Sequence, residues 1–328
     1  MPRLVVTSFG DPLESVELLD DPGLAVGPDE VLVEMQAAVL NASDLLLVRG
    51  FYGVRPELPS PLGGEGVGRV VECGSEVPPE LTGRRVMIMP TYEQGTWADR
   101  VVVKQRNVVP VSEDGDLLQQ AMLAVNPATA DVMLRLEPLK PGDWIAQNAA
   151  NSAVGQYVIA LAKRQGLHTL NIVRRPEAAD VVTAAGGDVV LLEDDDELRK
   201  KIATALGKDK LSLLLDAAGG PALSRVANFL KPGSKVVTYA GIPSRNPAVL
   251  AVDLIFKRIS VTGFWLMHWM REAPRAEIDE MYDRLGALVA SGELRVPIEA
   301  TYRLAGYRDA FRHAMAGKTA GKILFTFG

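Results

Sequence analysis

The chain of 328 residues is poor in metal-binding side chains, with a single cysteine, Cys73, and three histidines. One cysteine cannot form an intramolecular disulfide, and it cannot supply the several thiolates of a cysteine-based zinc site. The histidines His168, His268 and His313 are far apart and lack ligand spacing, so we interpret them as surface or core residues. The sequence therefore predicts that the protein holds no zinc.

Long apolar runs and an excess of basic charge are also lacking. No stretch approaches the ~20 apolar residues that span a bilayer. Lys and Arg number 35 against 41 Asp and Glu, which argues against general nucleic-acid binding. The first strand-like run begins at Leu4, leaving no room for a signal or transit peptide. We therefore expect a cytoplasmic protein with neither a membrane span nor a nucleic-acid partner.

The distribution of turns and apolar residues predicts an α/β protein of about two domains, at ~150 residues per domain. The first hundred residues contain short strand-like runs between Gly, Pro, Asn and Asp clusters, which is typical of a small barrel or sandwich. After Pro141-Gly142-Asp143, apolar strands and helices alternate, which predicts a doubly wound parallel sheet covered on both faces. The stretch from about Phe256 is too short for a third core, and we expect it to complete the first domain.

A turn of small residues follows the first strand of this alternating region. Asn148 precedes a run that includes Ser152, Ala153, Val154 and Gly155, and an amphipathic helix begins there. Small residues at a helix N-terminus let backbone N–H groups approach a pyrophosphate. Taken alone, the run is a degenerate form of G-x-G-x-x-G, and a plain turn explains it better. Its position in the first βα unit favours a dinucleotide.

The residues that end the second strand of this region indicate which dinucleotide. An NAD-selective site places an acid about 20 residues after the turn to bind the ribose diol. This chain has Arg174 and Arg175 there instead. Two guanidinium groups suit a 2′-phosphate, which favours NADP(H); the alternative is that they are simply exposed charges.

Five segments of the chain carry a family resemblance: Asn41-Ala42-Ser43-Asp44 with Arg49-Gly50-Phe51-Tyr52-Gly53 and Pro56-Glu57-Leu58-Pro59; Gly95-Thr96-Trp97; Asn126-Pro127-Ala128-Thr129-Ala130; the run from Gln147 to Gln156; and Leu254-Ile255-Phe256-Lys257 followed by Gly263-Phe264-Trp265-Leu266. Together they resemble the medium-chain dehydrogenases/reductases, and in particular the mitochondrial-type trans-2-enoyl thioester reductases. The resemblance runs from about Val5 to Leu324. The N-x-S-D segment is shared with quinone-reductase relatives.

This resemblance implies a GroES-like β-barrel domain, with a Rossmann domain inserted into it. It places the first part of the catalytic domain at 1–117, the NADP-binding domain at 118–257 and the remainder of the catalytic domain at 258–328. It also implies a homodimer. In the zinc-dependent relatives a Cys stands at the position of Asn41, and a Gly-His-Glu block replaces Gly63-Gly64-Glu65. The resemblance is therefore to the zinc-independent branch.

The family match also assigns residues to the site. Tyr52 is the expected proton donor, since a phenol is protonated at neutral pH and donates without tuning; alternatively it is a loop aromatic. Trp265 resembles a tryptophan of the cofactor and acyl site, and its alternative is a core aromatic. The remaining cofactor contacts that the family match implies, beyond the turn and the arginines, are Asn41, Thr129, Tyr239, Ala240, Gly241, Ile242, Phe264, Leu266 and Lys322.

The activity implied is NADPH-dependent reduction of the C2=C3 double bond of a trans-2-enoyl thioester, carried by CoA or by acyl carrier protein. A phosphate-bearing carrier requires basic residues at the entrance, and the candidates are Lys257, Arg258, Arg271 and Arg275. Two alternatives remain open. One is a zinc-free NADPH quinone or enone reductase, and the other is a non-enzymatic NADPH-binding sensor or lens-type structural protein.

Overall fold

The structure is a computed structural model that describes residues 1–20, 23–241, 245–317 and 320–328. The chain divides into two compact units. The first comprises Met1–Ala128 together with Ala273–Gly328, and the second is Thr129–Glu272. Among the described residues no helix is both long and apolar enough to span a membrane.

The first unit begins with short strands and helices. They are β1 (Pro2–Val6), α1 (Pro12–Ser15), β2 (Val16–Asp20), β3 (Glu30–Leu40), α2 (Ala42–Val48), β4 (Ser60–Pro61), β5 (Gly66–Cys73), β6 (Arg85–Ile88), β7 (Arg100–Lys104), β8 (Val108–Pro110), α3 (Leu117–Gln120) and α4 (Asn126–Leu134). The division between the units falls inside α4.

Strands and helices alternate throughout the second unit, as the sequence predicts. They are β9 (Trp144–Asn148), α5 (Ala153–Arg164), β10 (His168–Val173), α6 (Pro176–Ala184), β11 (Val189–Leu192), α7 (Leu198–Leu206), β12 (Leu211–Asp216), α8 (Ala222–Ala227), β13 (Leu230–Thr238), α9 (Ala251–Phe256), β14 (Ser260–Gly263) and α10 (Leu266–Glu272). All six strands are parallel, in the order β11-β10-β9-β12-β13-β14. The predicted α/β fold class with a doubly wound parallel sheet is confirmed.

The chain then returns to the first unit with α11 (Arg275–Ala290), β15 (Ile298–Tyr302), α12 (Tyr307–Met315) and β16 (Lys322–Thr326). The larger sheet of this unit has the order β15-β16-β3-β5-β6-β8, with β7 also paired to β3. A three-stranded sheet, β2-β1-β4, accompanies it. Because β16 pairs antiparallel with β3, the last strand of the chain is part of the sheet that the N-terminal strands begin.

One aromatic cluster joins the two sequence segments of the first unit. The Trp97 side chain is fully buried, and its indole N–H donates to the Val39 carbonyl at 3.0 Å. The rings of Phe311 and Phe325 pack against it, with centroids 5.6 and 5.2 Å away. Burying three aromatic side chains contributes strongly to a core, so the C-terminal stretch completes the interior of this unit.

The unit boundaries differ from the sequence boundaries at 117/118 and 257/258. Strand β14 pairs in parallel with β13, so it belongs to the sheet of the second unit, although the sequence analysis placed it in 258–328. The α3 helix, placed after the first boundary, is bonded within the first unit, since the Gln119 side chain donates to the Val296 carbonyl at 3.0 Å. Strand pairing and long-range hydrogen bonds determine both unit boundaries. Neither can be predicted from the local amino-acid composition.

Candidate active site

The small-residue turn of the second unit has the geometry of an anion-binding helix start. Helix α5 begins after Ser152, whose hydroxyl accepts a hydrogen bond from the Gly155 N–H at 3.2 Å. Ala149 takes a positive φ of 48°, and a Cβ at Gly155 would lie 2.4 Å from the Ala150 carbonyl oxygen. The first N–H groups of a helix have no intrahelical acceptor. Ala153 and Val154 are half-buried there, so a phosphate has backbone donors at this helix end.

A buried carboxylate, Asp216 at the end of β12, organises the strand ends beside this turn. Its Oδ1 accepts a hydrogen bond from the Asn148 side chain at 2.5 Å, and its Oδ2 accepts one from the Thr238 hydroxyl at 3.0 Å. The Gly219 N–H also donates to it, at 2.8 Å. Asp216 is completely buried, and these donors satisfy it. The sequence analysis missed Asp216, although its place at the end of an apolar strand in a βα unit was a usable signal.

The same edge holds other predicted cofactor residues. The Tyr239 N–H donates to the Asp216 carbonyl at 3.0 Å, and the Phe264 N–H donates to the Thr238 carbonyl at 2.9 Å. Burial raises the pKa of the Tyr239 hydroxyl. Ala240 and Gly241 follow as exposed residues, whereas Ile242 lies outside the described residues. In doubly wound sheets ligands bind outside the carboxyl ends of the strands, which is where these residues lie.

Arg174 and Arg175 lie at the carboxyl end of β10, and both are exposed. Arg175 is the residue before helix α6. The acid that follows the neighbouring strand β11, Glu193, is engaged with Arg245 in an ion pair. Within the described ranges, neither Arg174 nor Arg175 has an ion-pair or side-chain hydrogen-bond partner, so both guanidinium groups are available to an anionic ligand.

Trp265 forms the start of a small aromatic and cationic cluster in the second unit. Its ring lies edge-on to His268, with centroids 4.9 Å apart, and the Arg271 guanidinium lies 5.8 Å from its centroid. Leu266, the next residue, is buried. Among the other basic candidates, Lys257 pairs with Asp253 at 2.8 Å and Arg275 pairs with Asp279 at 2.8 Å. Arg271 thus lies beside a predicted site residue, Trp265.

The first unit brings Asn41 and Lys322 together, although 281 residues separate them. The Lys322 ammonium hydrogen-bonds to the Asn41 Oδ1 atom, which also accepts from the Asn126 side chain at 3.2 Å. The Asn41 Nδ2 atom donates to Glu65 at 2.8 Å. Both the oxygen and the nitrogen of the Asn41 side-chain amide are thus hydrogen-bonded. Thr129, another of the predicted cofactor contacts, is a buried residue of α4 in the second unit.

Two buried carboxyl groups accompany the Lys322 ammonium. Burial raises the pKa of Glu65 to about 7, against the opposing hydrogen bond from Asn41 and the charge of Lys322. Burial likewise raises the pKa of Asp44 to about 6, and burial lowers the pKa of Lys322. Desolvation disfavours each charged form, and the opposite charge partly offsets it. Asn41, Glu65 and Lys322, which we call the buried polar cluster, were linked by no sequence signal because they come from distant segments.

Tyr52 lies half-buried against the core of the first unit. The hydroxyl of Tyr92 donates a hydrogen bond to the Tyr52 oxygen at 3.2 Å. The two rings are tilted by 55°, with centroids 5.5 Å apart. Phe51, the neighbour of Tyr52, is 72% exposed, so the tyrosine and not the phenylalanine of this loop turns to the protein. Tyr92 was not among the residues that the sequence analysis selected.

Comparisons with known proteins fit this architecture. Residues 27–113 match the family "Alcohol dehydrogenase GroES-like domain", and residues 178–324 match "Zinc-binding dehydrogenase". A crystal structure of a putative NADPH:quinone reductase from Bacillus thuringiensis is 26% identical and has a TM-score of 0.92, covering 100% of this chain and 99% of its own. A mutant enoyl thioester reductase from Candida tropicalis is 22% identical with a TM-score of 0.85, covering 99% of each chain, and shares the fold.

The sequence relatives are more specific. The mitochondrial enoyl-[acyl-carrier-protein] reductase of Bos taurus is 36% identical over 329 residues, covering 98% of this chain and 88% of its own. Rodent and human relatives at 36–37% identity carry the same name. All of these proteins are named as mitochondrial, and this finding overturns the cytoplasmic location that the sequence analysis expected. The resemblance itself is confirmed: the chain belongs to the mitochondrial-type enoyl-[acyl-carrier-protein] reductase family of the medium-chain dehydrogenases/reductases.

Proposed function

We propose that this chain uses NADPH to reduce the C2=C3 double bond of trans-2-enoyl thioesters carried by CoA or by acyl carrier protein. The observation that supports this most directly is Tyr52. The family motif assigns the proton donor to this position, and the Tyr52 oxygen accepts a hydrogen bond from a second tyrosine, Tyr92, 3.2 Å away. The 36% identity to enoyl-[acyl-carrier-protein] reductases over nearly the whole chain supports the same reaction.

The reaction needs a reductant and a proton donor. When bound, the dihydronicotinamide supplies a hydride to the β-carbon of the enoyl group. The thioester carbonyl stabilises the charge that develops, and hydrogen-bond donors can support that charge without a metal. Tyr52 then gives its phenolic proton to the α-carbon. Trp265, Phe264 and Leu266 are proposed to line the site for the acyl group and the cofactor.

The second unit offers a fitting site for NADP(H). The N-terminus of α5 presents backbone N–H groups for the pyrophosphate, and the lack of a side chain at Gly155 keeps that turn close-packed. Arg174 and Arg175, whose guanidinium groups have no partner among the residues that the structure describes, are proposed to bind the 2′-phosphate. Asn148, Tyr239, Ala240 and Gly241 complete the proposed set along the strand ends. Thr129 remains a proposed nicotinamide neighbour.

We further propose that the enzyme works without zinc. Asn41 and Glu65 occupy the positions expected for metal-site residues in the zinc-dependent relatives, but Asn41 is bonded to both Glu65 and the Lys322 ammonium. A lysine cation thus already stands beside the buried carboxyl groups. In the buried polar cluster, Asn41 and Lys322 are proposed to shape the site rather than to be free cofactor ligands.

A substrate comparison tests this reaction against its rival. NADPH oxidation is measured by absorbance with crotonyl-CoA, with a simple quinone and with no acceptor. We expect rapid turnover of crotonyl-CoA and little of the quinone. Quinone turnover that exceeds turnover of crotonyl-CoA would support a quinone reductase. The structural neighbour from Bacillus thuringiensis, a putative NADPH:quinone reductase, motivates this alternative. NADPH binding without turnover of either acceptor would support a non-enzymatic role.

Tyr52→Phe tests the proton donor. Because the ring remains and the hydroxyl is lost, kcat for crotonyl-CoA should fall by roughly 10²–10⁴-fold while the Kd for NADPH stays unchanged. The matched control is Phe51→Leu at the exposed neighbouring position, which should retain wild-type kcat. Full activity in Tyr52→Phe would remove this residue from the mechanism.

The double variant Arg174→Ala, Arg175→Ala tests the phosphate contact. Each lost charged hydrogen bond should weaken NADPH binding by about 1–3 kcal/mol, whereas NADH, which has no 2′-phosphate, should bind as before. Fluorescence titration with both cofactors measures this. Arg164→Ala, at the end of α5, is the control for a change of surface charge. Equal loss for NADPH and NADH would contradict the assignment.

We propose a homodimer formed through the β14 edge of the parallel sheet. Edge strands offer unpaired backbone groups, and all four β14 residues are exposed. Beside them Ile255 and Phe256 are 66% and 80% exposed, forming an apolar patch of a kind that marks interfaces.

Sedimentation equilibrium checks this assembly. The wild-type chain should have twice its 35.3 kDa chain mass, and the double variant Ile255→Asp, Phe256→Asp should sediment as a monomer because two charges cannot be buried there. Phe51→Asp, at an equally exposed phenylalanine, should leave the dimer intact. A monomeric wild-type protein would refute the proposal.

A further inference from the structure

Tyr92 is an unusual residue in the first unit. It has a positive φ of 58°, in the left-handed region that residues with a Cβ adopt at a cost. Its ring packs against the core and its hydroxyl reaches Tyr52. A side chain held in an unfavourable backbone conformation needs compensating contacts, and here these contacts include the hydroxyl of the proposed proton donor.

The surroundings of Tyr92 are built from the N-x-S-D segment. Ser43 forms a side-chain hydrogen bond that lowers the pKa of Tyr92, while burial and the nearby Asp44 charge raise it well above its usual value. A Cβ at Gly64 would lie 3.3 Å from both the Tyr92 hydroxyl and the Asp44 Oδ1 atom, so glycine at this position leaves room for both groups. Asp44 is itself fixed, since it accepts from the Asn41 N–H at 2.8 Å and the Gly64 N–H at 3.2 Å.

These contacts connect three hydroxyl groups. The Ser43 side chain is hydrogen-bonded to the Tyr92 hydroxyl, and Tyr92 donates in turn to the Tyr52 oxygen at 3.2 Å. A hydroxyl oxygen accepts a hydrogen bond with a lone pair and still carries its own proton. The Tyr92 donor can thus remain beside the phenolate that proton transfer from Tyr52 would leave behind.

We propose that Tyr92 is a positioning residue for the reaction: its hydroxyl, supported by Ser43, orients Tyr52 as a donor and stabilises the Tyr52 phenolate after proton transfer. This inference rests on the proposed function, since it assigns a task to Tyr92 only if Tyr52 is the proton donor. It also gives the N-x-S-D segment a role. Ser43 acts through Tyr92, and Asp44 holds the backbone of Gly64 beside the Tyr92 hydroxyl. The titratable groups that face Tyr92 are Tyr52 and Asp44.

Tyr92→Phe provides the test, because it retains the ring and removes the donor. With crotonyl-CoA and NADPH, kcat should fall about 10- to 100-fold, the value of one hydrogen bond to a charged group, while KM for both substrates changes little. Without the hydrogen bond from Tyr92 the Tyr52 phenolate is less stable, so the pKa of Tyr52 should rise. The alkaline limb of the pH profile of kcat should therefore move to higher pH. Ser43→Ala should shift the same limb in the same direction by a smaller amount.

Tyr302→Phe is the matched control, because it removes another hydrogen-bonded hydroxyl of this unit, 2.9 Å from His313, and should leave both kcat and the pH profile unchanged. A fall in kcat without movement of the alkaline limb in either Tyr92→Phe or Ser43→Ala would mean that Tyr92 only supports the fold, and would overturn the proposal. Unchanged kcat in a folded Tyr92→Phe protein would overturn it as well. If wild-type protein fails to turn over crotonyl-CoA, or Tyr52→Phe is fully active, the proposed function fails instead.

Discussion

The neutralisation of buried charge around Asn41 is the constraint on which the first unit most depends. Glu65 and Asp44 are both nearly inaccessible to solvent, and a carboxylate removed from water is costly unless cations and hydrogen-bond donors replace the water. Lys322 supplies the cation from the last strand, and Asn41 joins it to Glu65. The Val125 N–H donates to the second oxygen of Glu65 at 2.8 Å. Hydrogen bonds and charge attraction at this buried polar cluster thereby connect distant segments of the chain within an otherwise apolar core.

Asp216 has a comparable role in the second unit, but hydrogen bonds alone satisfy it. Donors from β9, from the turn after β12 and from β13 converge on its two oxygens. Because Asn148 and Thr238 lie at the carboxyl ends of β9 and β13, the Asp216 carboxylate ties these strand ends together and orients the Asn148 amide. In the first unit a cation stabilises the buried carboxylates, whereas in the second unit uncharged hydrogen-bond donors stabilise Asp216. In both, a buried acid outside the predicted site fixes the residues inside it.

Local patterns predicted much of the second unit. Apolar runs separated by Gly and Asp clusters predicted the alternation of strands and helices from β9 to β13, and Ser152 with its small neighbours marked the start of α5. Arg174 and Arg175 were predicted at a strand end, and they lie there exposed. The β14 edge was misassigned, because a four-residue strand with every residue exposed has no alternation of apolar and polar residues. The side on which such a strand pairs is a long-range property.

The first unit was less accessible to sequence reasoning. Tyr52 and Asn41 were selected through family motifs, whereas Tyr92 was not, since a tyrosine in a loop with Gly and Thr has no periodic signal. The contacts that single it out run to Tyr52 and Ser43, 40 and 49 residues away along the chain. The pairing of Lys322 with Asn41 also depends on β16 lying beside β3. Individual side chains could be predicted here, but their partners required the strand order.

The split of the first unit across the sequence has a consequence for synthesis. Residues 129–272 are contiguous, so the nucleotide-binding half has all its strands once they leave the ribosome, and domains generally fold as units during translation. The other half must wait for β16, because Phe325 and Phe311 fill the core around Trp97 and Lys322 neutralises its buried acids. A nascent chain that ends before residue 322 therefore has a completed parallel sheet, while residues 37–40 of β3 still lack the strand with which they pair. Unpaired strand edges promote aggregation, so this is the stage at which chaperones matter most.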